Sequence, residues 1–216
     1  MKRLTILSGH YGAGKSEIAV NMAIDFRMDA LVDLDIINPY FRSRSVHALL
    51  QEHGVNLVES SVEKSSGSDL PYISAQGSRP FYDKSLRAVY DLAGTKAGAK
   101  IMMQYRDLID ADEDLDFFVV VNVFRPDTDT PDKIVRLIET LEGGAQLKVT
   151  GLINNSNLIK ETKEEHIAQG EKILQEVSKE TDLPIVYTFY EESVKPTRRF
   201  SGEVRPLRRY LAKTWL

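Results

Sequence analysis

Gly9-His10-Tyr11-Gly12-Ala13-Gly14-Lys15-Ser16 fits G-x-x-x-x-G-K-[ST], the pattern of a phosphate-binding loop. The flanks agree with it. Residues 4–7, Leu-Thr-Ile-Leu, are apolar and partly β-branched, as a buried parallel strand is. Residues 17–26 carry Ile18, Ala19, Met22, Ala23 and Phe26 at helical spacing. Glycines at 9, 12 and 14 let the backbone take φ values that other residues avoid. The N–H groups of the loop and helix start, across Gly9, Tyr11, Gly12, Ala13, Gly14, Lys15, Ser16 and Glu17, are expected to point at bound phosphates. Lys15 is expected to reach the β- and γ-phosphates and to act in catalysis, and the Ser16 hydroxyl to ligate Mg²⁺.

The chain's 216 residues favour one nucleotide-binding domain over 1–216, with a basic segment at about 195–216. A net charge of −4 gives no global signal for nucleic-acid binding. The absence of cysteine excludes disulfides, thiolate zinc sites and iron–sulfur ligation. No apolar run approaches the ~18 residues of a membrane span, and the first one is too short for a signal peptide. A cytoplasmic protein is the expectation.

Further along, residues 30–37 form a second expected strand with Asp33 and Asp35 at its carboxyl end, where the working residues of open α/β sheets lie. Alternation directs both carboxylates to one side. Such an aspartate can hold Mg²⁺, orient an attacking water, or simply open the turn before Asn38-Pro39. Arg42 and Arg44 follow, either as a phosphate clamp or as surface arginines on a helix over 43–52. A short strand at 55–58 precedes a Ser- and Gly-rich loop over 59–82, of a length that is usually functional or mobile. Residues 86–94 give a strand ending in Asp91-Leu92-Ala93-Gly94. Asp91 suits a second carboxylate on the Mg²⁺ side, and the Gly94 amide suits an approach to the γ-phosphate. Lys96 reads as a solvated lysine or a switch contact.

Residues 98–109 read as a helix, 110–116 as an acidic solvated turn, and 117–124 as a central strand. A helix over 132–141 should end at Gly143-Gly144. A strand at 148–154, a helix at 163–181 and a last strand at 183–187 complete a βαβα order. That order implies an α/β fold, a mostly parallel sheet with helices on both faces. In the basic C-terminal segment, Pro206 should start a final helix with Leu207, Tyr210, Leu211 and Trp215 on one face. It reads as packed on the sheet, or as a contact for a membrane or nucleic acid.

This constellation resembles the MinD/ParA/CobQ/CobB group of P-loop NTPases. The resemblance rests on residues 9–16, Asp35, Asp91 to Gly94, and Gly151-Leu152-Ile153-Asn154-Asn155. Residues 32–44 also resemble a little-characterised bacterial branch of nucleotide-binding proteins. The resemblance implies that Asp35 acts on the attacking water, that Asp91 to Gly94 forms switch II, and that Asn155 contacts adenine. The GTP-type N-K-x-D is absent, since 154–157 reads Asn-Asn-Ser-Asn. The cofactors implied are ATP and Mg²⁺, with Ser16, Asp33 and Asp91 on the metal. The group's extra loop lysine, which reaches across a nucleotide-dependent homodimer, is replaced here by His10. The expected function is a Mg²⁺-dependent ATPase acting as a switch, binding ATP and ADP and read by an unidentified protein partner. The alternatives are a small-molecule kinase or ATP-dependent ligase with its own acceptor, and a nucleotide-gated binding module with negligible hydrolysis.

Overall fold

The computed structural model describes residues 1–35, 44–59, 75–109 and 114–211. Eight strands build one sheet: β1 (Leu4–Ser8), β2 (Ala30–Asp33), β3 (Asn56–Glu59), β4 (Ala88–Asp91), β5 (Leu115–Val121), β6 (Gly151–Asn154), β7 (Ile185–Glu191) and β8 (Glu203–Leu207). Their order is β3-β2-β4-β1-β5-β6-β7-β8, and every pairing is parallel. The fold class expected from the sequence is the one observed.

Strand alternation divides the core. Leu4, Ile6, Val32, Tyr90, Phe117, Val119 and Val121 face one layer, where they pack with Ile134, Ile138, Leu141, Leu174 and Val177. Leu7, Leu31, Val89, Phe118, Val120 and Ile153 face the other, against Ile18, Met22, Val46 and Leu50. The first set of partners lies on α5 (Pro131–Ala145) and α6 (Glu164–Thr181), the second on α1 (Lys15–Asp25) and α2 (Arg44–Glu52). A strand buried on both faces needs apolar residues at every position, so these strands read as continuous apolar runs.

β1 sits between β4 and β5, both from much later in the chain. The chain leaves β1 toward β2 on one side and leaves β5 toward β6 on the other, opening a crevice between them at the strands' carboxyl ends. The phosphate-loop sequence emerges there.

Several elements differ from the sequence reading. Gly143 and Gly144 lie inside α5, which runs to Ala145 and ends on Gln146 at φ 55°. Gly144 serves close packing, since a Cβ there would stand 2.7 Å from the Lys96 carbonyl oxygen. The stretch read as a helix over 98–109 begins earlier, as α4 (Lys96–Ala99) capped by Thr95, and continues as a 3₁₀ helix over Lys100–Leu108. The long polar segment contains a helix, Ala75–Tyr82, while 60–74 lie outside the described residues.

The expected start of a C-terminal helix at Pro206 is a strand instead. Glu203–Leu207 pairs with β7 from Tyr187 to Glu191, and Pro206 is tolerated because β8 is an edge strand. Residues 192–202 make the parallel crossover without a helix. They are held to α6 by Glu164, which accepts the Thr197 and Arg198 N–H groups, and by Glu171, which accepts that of Ser201. Trp215 lies outside the described residues. Among the described residues no helix is long and apolar enough to cross a membrane.

Candidate functional site

β1 delivers the chain into a loop pressed onto its neighbours. Gly9 has φ 153°, and a Cβ on it would lie 2.2 Å from the Val120 carbonyl oxygen. Gly14, at φ 87°, immediately precedes α1. Lys15 and Ser16 open the helix and are buried. Their backbone N–H groups belong to the first turn, which has no intrahelical partners and carries the positive end of the helix dipole.

Gly94 supports the loop from beside it. A Cβ at 94 would come within 1.8 Å of the Gly9 carbonyl oxygen, so only glycine permits this approach. The Ser8 hydroxyl donates to Ala93 O (3.2 Å), and Leu92 N donates to Leu7 O (2.8 Å). Together these tie the β4 end to the β1 end.

A cavity of about 320 Å³ opens here, lined by His10, Tyr11, Lys15, Asp35, Ala93, Gly94 and Thr95. The structure thus brings together residues from three separate stretches that the sequence singled out. Tyr11 is exposed at the loop tip, whereas Asp35 is 3% exposed. Arg42 lies outside the described residues.

Below the cavity, Asp33 and Asp91 are register partners across β2 and β4. The sequence directs Asp33 and Asp35 to one side of a strand over 30–37, whereas the observed strand is shorter. β2 ends at Asp33, whose Oδ1 accepts the Asp35 N–H (3.0 Å), and Asp35 but not Asp33 lines the cavity. Burial and the neighbouring Asp91 charge push the Asp33 carboxyl up to about 8, against the opposing Asp35 N–H. Burial likewise raises Asp91 to about 6, a rise moderated by the Lys15 charge and then by the nearby Ser16 hydroxyl.

Asp91 is fully buried, and among the described residues neither carboxylate oxygen has a hydrogen-bond partner. Buried carboxylates are rarely left so, and a cation is one partner that resolves the cost. Ser16 and Asp91 therefore fit Mg²⁺. Among the described residues no three His, Asp or Glu side chains form a complete metal cage.

Asn155 is buried behind the loop. Its Nδ2 donates to Ala13 O (2.7 Å) and would stand 2.4 Å from a Cβ at Gly14. Its Oδ1 accepts no hydrogen bond among the described residues. Asn157 is engaged by main chain, donating to Asn155 O (2.7 Å) and accepting from Ile159 N (3.2 Å). Glu17 departs from the sequence reading in its side chain. That carboxylate turns to the C-terminal segment and accepts the N–H groups of Tyr210 and Leu211, leaving only its main chain to the phosphate site.

The β5–α5 loop was not singled out by the sequence. Arg125 Nε donates to Gly12 O (3.0 Å), and Asp127 Oδ2 lies 3.2 Å from His10 Nε2. Applying the strand-end rule to β5, the most apolar strand, points to these residues. Asn21 was missed as well. Its amide donates to Arg208 O (2.8 Å) and accepts from Arg208 N (2.9 Å), holding the chain after β8 onto α1.

No family model matches the chain, and no curated protein matches it in sequence. In fold it is similar to chloroplast FtsY from Physcomitrella patens, with TM-score 0.57 and 13% identity over 87% of this chain and 58% of that one. It is similar also to the signal recognition particle receptor FtsY from Elizabethkingia anophelis, with TM-score 0.56 and 15% identity over 94% of this chain and 63% of that one. A GDP complex of the latter receptor gives TM-score 0.53 and 14% identity, covering 89% and 58%. The chain spans about three-fifths of the length of these structures. At such identities the likeness establishes the fold, that of the P-loop NTPases.

Proposed function

We propose that the protein is a cytoplasmic, Mg²⁺-dependent ATP-binding protein and slow ATPase of the MinD/ParA type, acting as a nucleotide-dependent switch. One observation carries the reading: among the described residues the buried Asp91 carboxylate has no hydrogen-bond partner, and it lies within reach of the Lys15 charge and the Ser16 hydroxyl, Lys15 itself lining the cavity at the phosphate loop.

In this reading the loop and first-turn N–H groups bind the phosphates, and Lys15 neutralises charge on the β- and γ-phosphates. Ser16 and Asp91 hold Mg²⁺, which would supply charge stabilisation at the reacting phosphate. Asp35, on the cavity wall, orients the attacking water. Gly94, packed on the loop, transmits the loss of the γ-phosphate to α4. Of the other switch candidate, residues 38–44, positions 38–43 lie outside the described residues.

Base choice follows from amide bookkeeping. Asn155 gives one Nδ2 hydrogen to Ala13 O and keeps its Oδ1 acceptor open, which suits the adenine amino group. The carboxylate of N-K-x-D that would accept the guanine N–H groups is replaced at 157 by an amide held by main chain. His10 is engaged by Asp127 of its own chain, which argues against a lysine-like reach into a second copy. The partner is one that reads the ATP- and ADP-bound forms.

Calorimetric titration with ATP and with GTP, alongside phosphate release, tests this. Lys15→Ala should lower ATP affinity at least about 100-fold, as expected for loss of a charge-assisted contact. Unchanged affinity and turnover in that variant would sink the proposal, and tighter GTP than ATP binding would overturn its base choice.

A further inference from the structure

We propose that Arg125 is a nucleobase-binding residue, its guanidinium forming a flat platform for the base whose edge Asn155 reads. The inference rests on the adenine site proposed above.

In a loop whose N–H groups converge on an anion, the carbonyls point to the opposite flank. Two consecutive carbonyls are taken up on that flank. Arg125 Nε donates to Gly12 O (3.0 Å) and Asn155 Nδ2 to Ala13 O (2.7 Å). Successive residues are about 3.8 Å apart, so the two side-chain heads are neighbours outside the phosphate cradle. A nucleotide with its phosphates in the cradle and its base at Asn155 runs along this flank.

The guanidinium is placed, not waving. Arg125 N donates to Asn122 O (3.2 Å), and Thr128 N donates to Arg125 O (3.0 Å), fixing the main chain of the β5–α5 loop. Absence of a side chain at Gly12 lets the guanidinium lie flush, since a Cβ there would come within 3.2 Å of Cζ and Nε. Its four Nη hydrogens have no partner among the described residues. A planar cation anchored by one edge, half-buried and otherwise unpartnered suits an aromatic face.

The test uses the full chain, with Mg-ATP and inorganic tripolyphosphate as probes. Tripolyphosphate reports the cradle without a base, and is read at millimolar concentration by thermal shift. Arg125→Ala should weaken ATP about tenfold while tripolyphosphate binding stays within about twofold. Arg125→Lys keeps the charge and a donor but not the plane, and should fall between wild type and alanine for ATP alone.

ATP and tripolyphosphate weakening together would place Arg125 in phosphate binding or loop support and overturn the proposal. So would no change in either. If the alanine variant does not fold, the lysine variant decides, and unchanged ATP affinity there overturns the idea. Wild-type protein that binds tripolyphosphate but neither ATP nor GTP would sink the functional reading itself, a different outcome from any difference between variants.

Discussion

Replacing Asp33 by Asn should make the protein more stable above neutral pH and flatten its pH dependence. In the folded protein the Asp33 carboxyl is pushed from 3.8 up to about 8, first by burial and next by the Asp91 charge. A raised carboxyl pKa means that the folded state binds more protons than the unfolded one, so stability falls as pH rises between the two values. The rise spans about four pH units, and at about 1.4 kcal/mol per unit the full penalty is ~6 kcal/mol, an upper figure because water entry and relaxation reduce it. Between about pH 5 and about pH 7.5 the wild type should lose roughly 3 kcal/mol relative to Asp33→Asn. Asn retains an oxygen for the Asp35 N–H, so the comparison isolates the charge. Urea unfolding of both proteins at several pH values, without nucleotide or Mg²⁺, reads the difference directly. Parallel stability curves across that range would refute the reasoning, because they would mean that Asp33 ionises in the fold as freely as in the unfolded chain.

Further outcomes follow from close contacts. Gly94→Ala forces a methyl into the Gly9 carbonyl, a backbone atom with nowhere to go, and should cost about 3 kcal/mol, lowering Tm by roughly 10 °C and weakening ATP binding; an unperturbed melting curve and affinity would contradict the packing described. Asn21→Ala removes both hydrogen bonds to Arg208 and should cost about 1–3 kcal/mol. Hydrogen exchange should then quicken at Tyr210 and Leu211, and unchanged protection there would show that Asn21 is not the clamp.

The parallel sheet was legible because burial on both faces imposes unbroken apolar runs, and residues 117–121 could hardly be anything else. The phosphate loop was legible because its chemistry needs glycines and a lysine at fixed spacing. What escaped were features decided by distant partners. Leu207, Tyr210 and Leu211 fit a helical period, yet the free edge of β7 captured Glu203–Leu207 as a strand. Gly143-Gly144 looks like a helix stop, but Gly144 is there to let α4 come close. Arg125 and Asp127 carry no motif, and their place beside Gly12 and His10 exists only once β1 and β5 are paired. Glu17 directly follows a strong motif, and local sequence could not show that its carboxylate serves the C-terminal segment.

The position of β1 has a thermodynamic consequence. Leu4 lies between Ala88 and Leu115, so the anion cradle at the end of β1 is shaped by strands that arrive more than eighty positions later. Its geometry is a property of the finished sheet and not of the local peptide. A fragment carrying only the glycine loop and its helix would hold no phosphate. Ligand release and global unfolding are therefore coupled: a ligand present at 100 times its Kd should add about 2.7 kcal/mol to stability. The melting temperature becomes an occupancy gauge, and a panel of nucleotides can be ranked by heat alone before any turnover is known.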